Sequence, residues 1–267
     1  MNIGTAKPDA AELQRVQHHF IDIADPDQQY SAGRFGREAR QLIEERGQAI
    51  PILVGGSGLY LQAVLDGFFE DDTDYANIRR KLQNRLVEEG ASSLYSELSR
   101  VDPVTHARLE ANDVQRILRA LEVAIKSRQG LSELRENKRE APLHCIPLAF
   151  CLNRDREQLY RRIDERVDQM VEAGFLDEVR FLVKRGYDRN TWAMRTFGYE
   201  EMLRFIAGEC RWDEAIKSIK RRSRQYAKRQ LTWFRRDRRM RWLNFDEWGE
   251  EGVLDRMISQ VNAYEES

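Results

Sequence analysis

Ile50-Pro51-Ile52-Leu53-Val54-Gly55-Gly56-Ser57-Gly58-Leu59-Tyr60 is the stretch whose reading decides the fold. The apolar run Ile50 to Val54 has strand length and ends on a glycine pair. Gly58 then opens a helix expected to reach about Leu65. Upstream, His19-Phe20-Ile21-Asp22-Ile23 reads as a short strand followed by a loop at Pro26, and Ser31 is placed to cap a helix running to about Arg46. Strand, helix, strand, helix in that order predicts a parallel α/β sheet. A third strand is expected at Cys145 to Leu152. Nothing apolar precedes the loop-like Gly4-Thr5-Ala6-Lys7-Pro8, so the sequence reads as lacking the first strand and helix of such a sheet.

Between strands two and three, Asn77 to Ser127 has helical periodicity, broken at Asp102-Pro103 and recapped at Asn112 or Asp113. The polar stretch Gly130 to Pro142 reads as a linker. Beyond residue 155 helices are expected at Arg156–Glu172, Leu176–Arg185 and Arg195–Ala207, with one long helix over the basic block that follows. This divides the chain into a discontinuous α/β core, 1–70 and 141–267, and a helical insertion at 71–140.

The 267 residues carry 44 Lys plus Arg against 45 Asp plus Glu, a net charge of −1. No run approaches the eighteen or so apolar residues of a membrane span. The start has neither the basic nor the apolar region of a secretory signal. Three cysteines, Cys145, Cys151 and Cys210, are odd in number and widely spaced, which argues against disulfides and a zinc knuckle. A soluble cytoplasmic protein is the expected class. The near-zero total conceals a segregation: Ala215 to Arg241 holds twelve Lys or Arg against Asp237 alone, +11 locally and −12 for the remainder. Ile216, Ile219, Ser223, Tyr226, Gln230 and Trp233 recur at helical spacing as a packing seam, leaving Lys217, Lys220, Arg221, Arg224 and Lys228 on other faces. A run so poor in acids repels itself unless a polyanion faces it. Phosphate backbone supplies one, and Trp233 with Phe234 offers surface for an unstacked base. A solvated helix is the alternative.

Other features are less decisive. The Gly55–Gly58 turn lies where open α/β sheets gather ligands, at a helix start that favours anions, yet a ligand-free turn is as good a reading. No Gly-x-x-x-x-Gly-Lys-Ser/Thr occurs, so no nucleoside-triphosphate loop is assigned. His18, His19 and Asp22 could be drawn as metal ligands, but adjacent strand residues point to opposite faces, which favours structural roles. Arg79-Arg80-Lys81 and Gln115-Arg116-Ile117-Leu118-Arg119 are basic patches whose default is a solvated helix face.

Gly4–Pro8, His18–Asp22, Pro51–Tyr60, Arg116-Ile117-Leu118-Arg119-Ala120-Leu121-Glu122-Val123, Phe197-Gly198-Tyr199-Glu200-Glu201 and Ala227–Arg235 together resemble the tRNA dimethylallyltransferases, in family order and over nearly the whole chain. The resemblance implies a P-loop-kinase-like α/β core with a helical insertion. It implies transfer of a dimethylallyl group from dimethylallyl diphosphate to N6 of the adenine 3′-adjacent to the tRNA anticodon, assisted by Mg²⁺. The partners would be the tRNA anticodon stem-loop and dimethylallyl diphosphate, with the protein a monomer. The family's P-loop and its Asp-Ser-x-Gln segment, which carries the general base, would precede Gly4 and are not in the sequence. The expectation is thus an enzyme without its phosphate-binding front end. Ser57 stands where the family has threonine. By resemblance Ser57 and Arg79 support the reacting centre. Also by resemblance, Gln115, Arg116, Ile117, Leu118, Arg119, Arg195, Thr196, Phe197, Gly198, Tyr199, Glu200, Lys228, Arg229, Gln230, Leu231, Thr232, Trp233, Phe234 and Arg235 contact tRNA. The alternatives are an RNA-binding fragment without catalysis and, with less support, a small-molecule kinase of the same fold.

Overall fold

The computed structural model describes residues 1–47, 50–67, 75–137 and 142–265. In chain order the elements are α1 (Ala10–Arg15), α2 (Ala32–Glu45), α3 (Gly58–Leu65), α4 (Ala76–Glu89), α5 (Ala91–Val101), α6 (Pro103–His106), α7 (Val114–Ser127), α8 (Leu131–Asn137), β1 (Ala149–Asn153), α9 (Arg156–Glu172), α10 (Phe175–Lys184), a 3₁₀ turn (Ala193–Arg195), α11 (Tyr199–Ile206), α12 (Trp212–Phe234), β2 (Met240–Asn244) and α13 (Phe245–Glu265). They form two compact units. The first comprises residues 1–31, 54–58 and 145–267, the second 32–53 and 59–144.

The first unit contains the sheet. β1 and β2 pair in parallel, Ala149 opposite Met240 through Asn153 opposite Asn244, and the connection between them runs through α9 to α12. A parallel pair needs such a helical crossover. Val167, Phe175, Val179, Leu182, Met194, Tyr199, Met202 and Ile219 form the helical core beside it. The α/β class with a parallel sheet therefore stands, but its strands differ from expectation. β1 overlaps the expected third strand, starting at Ala149 and ending one residue beyond it at Asn153. β2 falls where a continuing basic helix was expected, because Arg239 and Arg241 masked a short alternation around the buried Leu243.

His19–Ile23 and Ile50–Val54 are not strands. Phe20 and Asp22 have φ of 63° and 54°, left-handed values that break an extended run. Ile52 and Val54 are 84% and 87% exposed, so this run is no buried strand either. Among the described residues neither run has a neighbouring strand, and backbone groups without a ladder partner do not hold a strand.

In the second unit, α4, α5, α7 and α8 enclose Leu82, Leu94, Leu98, Ile117, Leu118, Leu121, Leu131 and Leu134. The break expected at Asp102-Pro103 is present: the buried Asp102 carboxylate accepts from the Thr105 amide at 3.0 Å and from Ser132 Oγ at 2.6 Å, with Pro103 in the first turn of α6. The expected linker at 130–142 is helical over Leu131–Asn137, because Leu131 and Leu134 at i, i+3 spacing reach the core despite their polar neighbours. Residues 138–141 of that stretch lie outside the described residues. Near the start of the unit, a Cβ at Gly36 would lie 2.8 Å from the Ala63 carbonyl oxygen, so glycine lets α2 and α3 approach closely.

Candidate active site and nucleic-acid interface

In the first unit the glycine turn rests on α12. Gln230 Nε2 donates to the Gly56 carbonyl at 2.8 Å. A Cβ on Gly56 would lie 2.0 Å from that same nitrogen, and one on Gly58 would lie 2.1 Å from the Trp233 indole. Neither glycine has a positive φ, so it is the closeness of α12 rather than backbone conformation that bears on them: the Trp233 ring requires glycine at 58, while at 56 the Gln230 amide would have to give way. Ser57 between them is half-buried, and among the described residues its hydroxyl is committed to no protein group. The turn thus presents an uncommitted hydroxyl at the start of α3, beside an indole 39% exposed.

One helical turn back, Tyr226 packs on Phe197 with ring centroids 5.4 Å apart. Arg222 donates to Glu200 at 2.5 Å and to Glu201 at 2.8 Å. Glu201, 1% exposed, also accepts from the Gly198 amide at 2.7 Å and from Ser218 Oγ at 3.3 Å. Gly198 has φ +94°, where a side chain would be strained. The Phe197–Glu201 segment is therefore fastened to α12 at two levels. Arg195 is exposed, its guanidinium held by the carbonyls of Arg189 and Asn190 at 3.1 and 3.2 Å.

The segment Asn2–Gly4 docks onto α10. Glu178 accepts from the amides of Asn2, Ile3 and Gly4 at 2.5, 2.9 and 3.3 Å and from the Tyr199 hydroxyl at 2.6 Å. Burial opposes ionisation of Glu178, but the Tyr199 hydroxyl and the three amides outweigh it and hold its carboxyl below the ordinary glutamate value. Burial, reinforced by Glu178, pushes the Tyr199 hydroxyl far up, so it stays protonated and donates. A Cβ on Gly4 would lie 2.4 Å from the Phe175 ring, so glycine lets the loop lie flat on that aromatic pair.

In the second unit, Arg79 makes a two-point contact with Glu122, Nε to Oε1 at 2.6 Å and Nη2 to Oε2 at 3.0 Å. Glu122 is 2% exposed. Arg119 reaches the same carboxylate at 3.4 Å and lies over the Tyr75 ring, 4.5 Å from its centroid. The hydrogen bond from Glu122 raises the pKa of Arg79 despite partial burial, which fixes it as a cation. One buried carboxylate thus holds two arginines, a fork–fork geometry suited to presenting a guanidinium to an anion.

Several residues expected to touch RNA point elsewhere. Ile117, Leu118, Tyr199 and Phe234 are between 1% and 8% exposed. Their side chains are taken up by packing, because apolar positions within basic motifs still follow the helix period. Gln115, Arg116, Arg195, Thr196, Lys228, Arg229, Thr232, Trp233 and Arg235 are exposed. Among the described residues no carboxylate lies within ion-pair distance of Lys228, Arg229, Arg235, Arg236, Arg238 or Arg241. By contrast Lys217, Lys220, Arg222 and Arg224 are paired with Asp213, Asp168, Glu200 with Glu201, and Asp164.

The IPP transferase family model matches residues 1–237. The chain belongs to the IPP transferase family. It is 43% identical over 269 residues to a tRNA dimethylallyltransferase of Geobacter metallireducens, covering 99% of this chain and 84% of that protein. It is 42% identical over 267 residues to one of Carboxydothermus hydrogenoformans, covering 98% and 85%. Among solved structures it is similar to the tRNA isopentenylpyrophosphate transferase of Bacillus halodurans, with TM-score 0.67, 36% identity, and coverage of all of this chain and 84% of that one. A eukaryotic dimethylallyltransferase acting on tRNA gives TM-score 0.76 at 28% identity, over 98% of this chain and 69% of that one.

For an IPP transferase, three carboxylates went unassigned by sequence reasoning: Glu122 behind Arg79 and Arg119, Glu201 behind Arg222, and Glu178 beneath the Asn2–Gly4 amides. Only their place in helices with otherwise apolar inward faces marks them, and a buried carboxylate on such a face needs a partner. Magnesium finds no cage here: among the described residues no three His, Cys, Asp or Glu side chains converge on a point. Among the described residues no set of side chains by itself makes a magnesium site, and no step of the reaction is routed through one. Among the described residues no helix is long and apolar enough to cross a membrane.

Proposed function

We propose that this chain transfers a dimethylallyl group from dimethylallyl diphosphate to N6 of the adenine 3′-adjacent to the anticodon of tRNA, in the cytoplasm. The observation that carries the reading is α12, which bears uncompensated cations along 228–235 and at the same level grips the Gly55–Gly58 turn. A helix that does both ties the place where RNA is held to the place where chemistry is supported. We take the helices at 75–137 as the inserted lobe, and Arg79 and Arg119 as the cations that this lobe holds ready on Glu122.

The exocyclic N6 is unreachable in a stacked base, so the adenine must leave its stack, and Trp233 offers a face to receive a neighbouring base. Lys228, Arg229 and Arg235 hold the phosphate backbone. As the allylic C–O bond breaks, negative charge gathers on diphosphate, and Arg79, kept cationic and oriented by Glu122, offsets it. Ser57 offers its hydroxyl to a phosphate oxygen or to the base. The new bond joins N6 to the allylic carbon, N6 releases a proton, and diphosphate leaves. Neither Asp-Ser-x-Gln nor a P-loop occurs in the 267 residues, so the acceptor of that proton is not assigned.

The test is incubation with tRNA and dimethylallyl diphosphate, followed by nuclease digestion and mass spectrometry for N6-dimethylallyl adenosine. Its appearance supports the reading. Tight tRNA binding with no product would replace it by the second reading, RNA binding without transfer.

A further inference from the structure

Gln230 stands within the stretch expected to contact tRNA, yet its amide is spent inside the protein. Its Nε2 donates to the Gly56 carbonyl at 2.8 Å, and the side chain is half-buried while its neighbours Lys228, Arg229 and Thr232 are exposed. On α12, Tyr226, Gln230 and Trp233 follow one another at four and three residues and share one face. That face meets protein at all three points: Phe197 on Tyr226, Gly56 on Gln230, Gly58 on Trp233. Lys228 and Arg235 lie off that face, while Arg229 borders it, its guanidinium over the Tyr226 ring at 5.7 Å from the centroid. We infer that Gln230 is a positioning residue: it anchors the Gly55–Gly58 turn, and with it the Ser57 hydroxyl, to the basic helix, and it does not read RNA. The inference rests on the proposed transfer reaction for its functional meaning.

The argument is one of exclusion at both ends of the bond. A Cβ at Gly56 and the Gln230 amide would claim the same space, so the hydrogen bond in place depends on glycine at 56. The Gly56 carbonyl would otherwise be an acceptor in a half-buried turn, where an unmet hydrogen bond is costly. Ser57 is flanked by Gly56 and Gly58, residues with no side chain to stiffen the turn from within. Its stiffness has to come from outside, and Gln230 with Trp233 supplies it.

The experiment compares wild type with Gln230→Met, Gly56→Ala, their double variant, and Lys228→Ala with Arg229→Ala. Methionine keeps the volume of glutamine and loses the donor, so a merely space-filling role predicts no change. Two quantities are read on the full chain: amide hydrogen exchange of the peptide covering 55–61 without RNA, and affinity for an anticodon stem-loop RNA at fixed salt. The expected result for Gln230→Met is exchange faster by about five- to tenfold, the worth of one hydrogen bond, with RNA affinity within about twofold of wild type, as for a group that meets no phosphate. Gly56→Ala, whose Cβ displaces the flexible amide, should match it, and the double variant should add nothing further, as expected for partners in one contact. Lys228→Ala with Arg229→Ala should do the reverse, weakening RNA binding with the turn undisturbed.

Unchanged exchange in Gln230→Met, or additive exchange in the double variant, would overturn the inference. So would a loss of RNA affinity of about tenfold with the turn unaltered, a margin that marks a direct base contact. Should Gln230→Met fail to fold, Gly56→Ala poses the same question from the other partner. In turnover, Gln230→Met should lower kcat and leave KM for tRNA unchanged, whereas a residue that reads RNA would raise KM. If wild type forms no product the transfer reaction falls, and the exchange measurement still judges the anchor.

Discussion

The two halves of α12 and its extension look alike in sequence and behave differently in the fold. Between Lys217 and Arg224 every cation but the exposed Arg221 is matched: Lys217 by Asp213, Lys220 by Asp168 on α9 at 2.6 Å, Arg224 by Asp164 at 2.5 Å, Arg222 by Glu200 and Glu201. Between Lys228 and Arg241 the acid within the segment, Asp237, is taken by Arg239 at 2.7 Å, and the other cations face no carboxylate among the described residues. A charge count along the chain cannot see this, because the neutralising groups come from α9 and α11. The run that is poor in acids in one dimension is half neutral in three. The first half is an adhesive between helices; the second keeps most of its cations exposed to solvent, the half proposed to meet RNA.

The sharpest way to break the distinction is to strip the second half. Replacing Lys228, Arg229, Arg235 and Arg236 together by Ala should weaken stem-loop RNA binding on the order of a hundredfold at about 0.15 M salt and lower the slope of log affinity against log salt by about three units. Lys220→Ala with Arg224→Ala is the matched control, and equal losses in a titration across salt would dissolve the contrast. Next in size, Glu201→Gln should cost about 2–3 kcal/mol in urea denaturation. The one oxygen that glutamine keeps cannot serve both the Gly198 amide and Arg222, so one of these donors loses its buried partner, and the figure is reduced from that of a fully buried pair because Arg222 is partly exposed. A cost below about 0.5 kcal/mol would mean that the first half is not held by its ion pairs.

A pH measurement extends the contrast to the helix that anchors the first half. The Glu178 carboxyl, beside Tyr199, is held below its unfolded value, so its stabilisation is present above the unfolded pKa and is lost as pH falls through the lower folded value. Glu178→Gln should therefore be less stable than wild type at neutral pH, with the gap closing as the medium is acidified below about pH 4.3. A gap that widened in acid would reverse the assigned sign. The smallest effect belongs to Lys217, whose side chain is 80% exposed and pairs with Asp213 at 3.6 Å. Lys217→Ala should shift stability by less than about 0.5 kcal/mol.

How much of this was legible beforehand depends on how local the cause was. The Asp102-Pro103 break, the start of α7 after Asp113 and the seam of α12 follow from periodicity and capping within a few residues, and they are present. The parallel class and the family were readable from motif order. The strands were not: Ile50–Val54 has the composition of a strand, but a strand exists only with a neighbour, which composition does not supply. α8 was hidden because two leucines carry its burial among polar residues, and β2 because arginines on its exposed side imitate the helix before it. At the site, periodicity placed Gln230 and Trp233 on the packing seam while motif resemblance placed them against RNA; the contacts with Gly56 and Gly58 favour the seam. Glu122, Glu178 and Glu201 became visible only once the folded chain had brought their partners to them.

The glycines on either side of Ser57 answer to side chains far away in sequence: Gly58 owes its identity to the Trp233 indole, and the Gly56 carbonyl accepts from Gln230, 174 residues on. This is a heritable dependence between distant codons. An alanine at 58 should be lethal to the turn while Trp233 is present and tolerated once that indole is trimmed, so a genetic screen begun from Gly58→Ala should return its suppressors at 233.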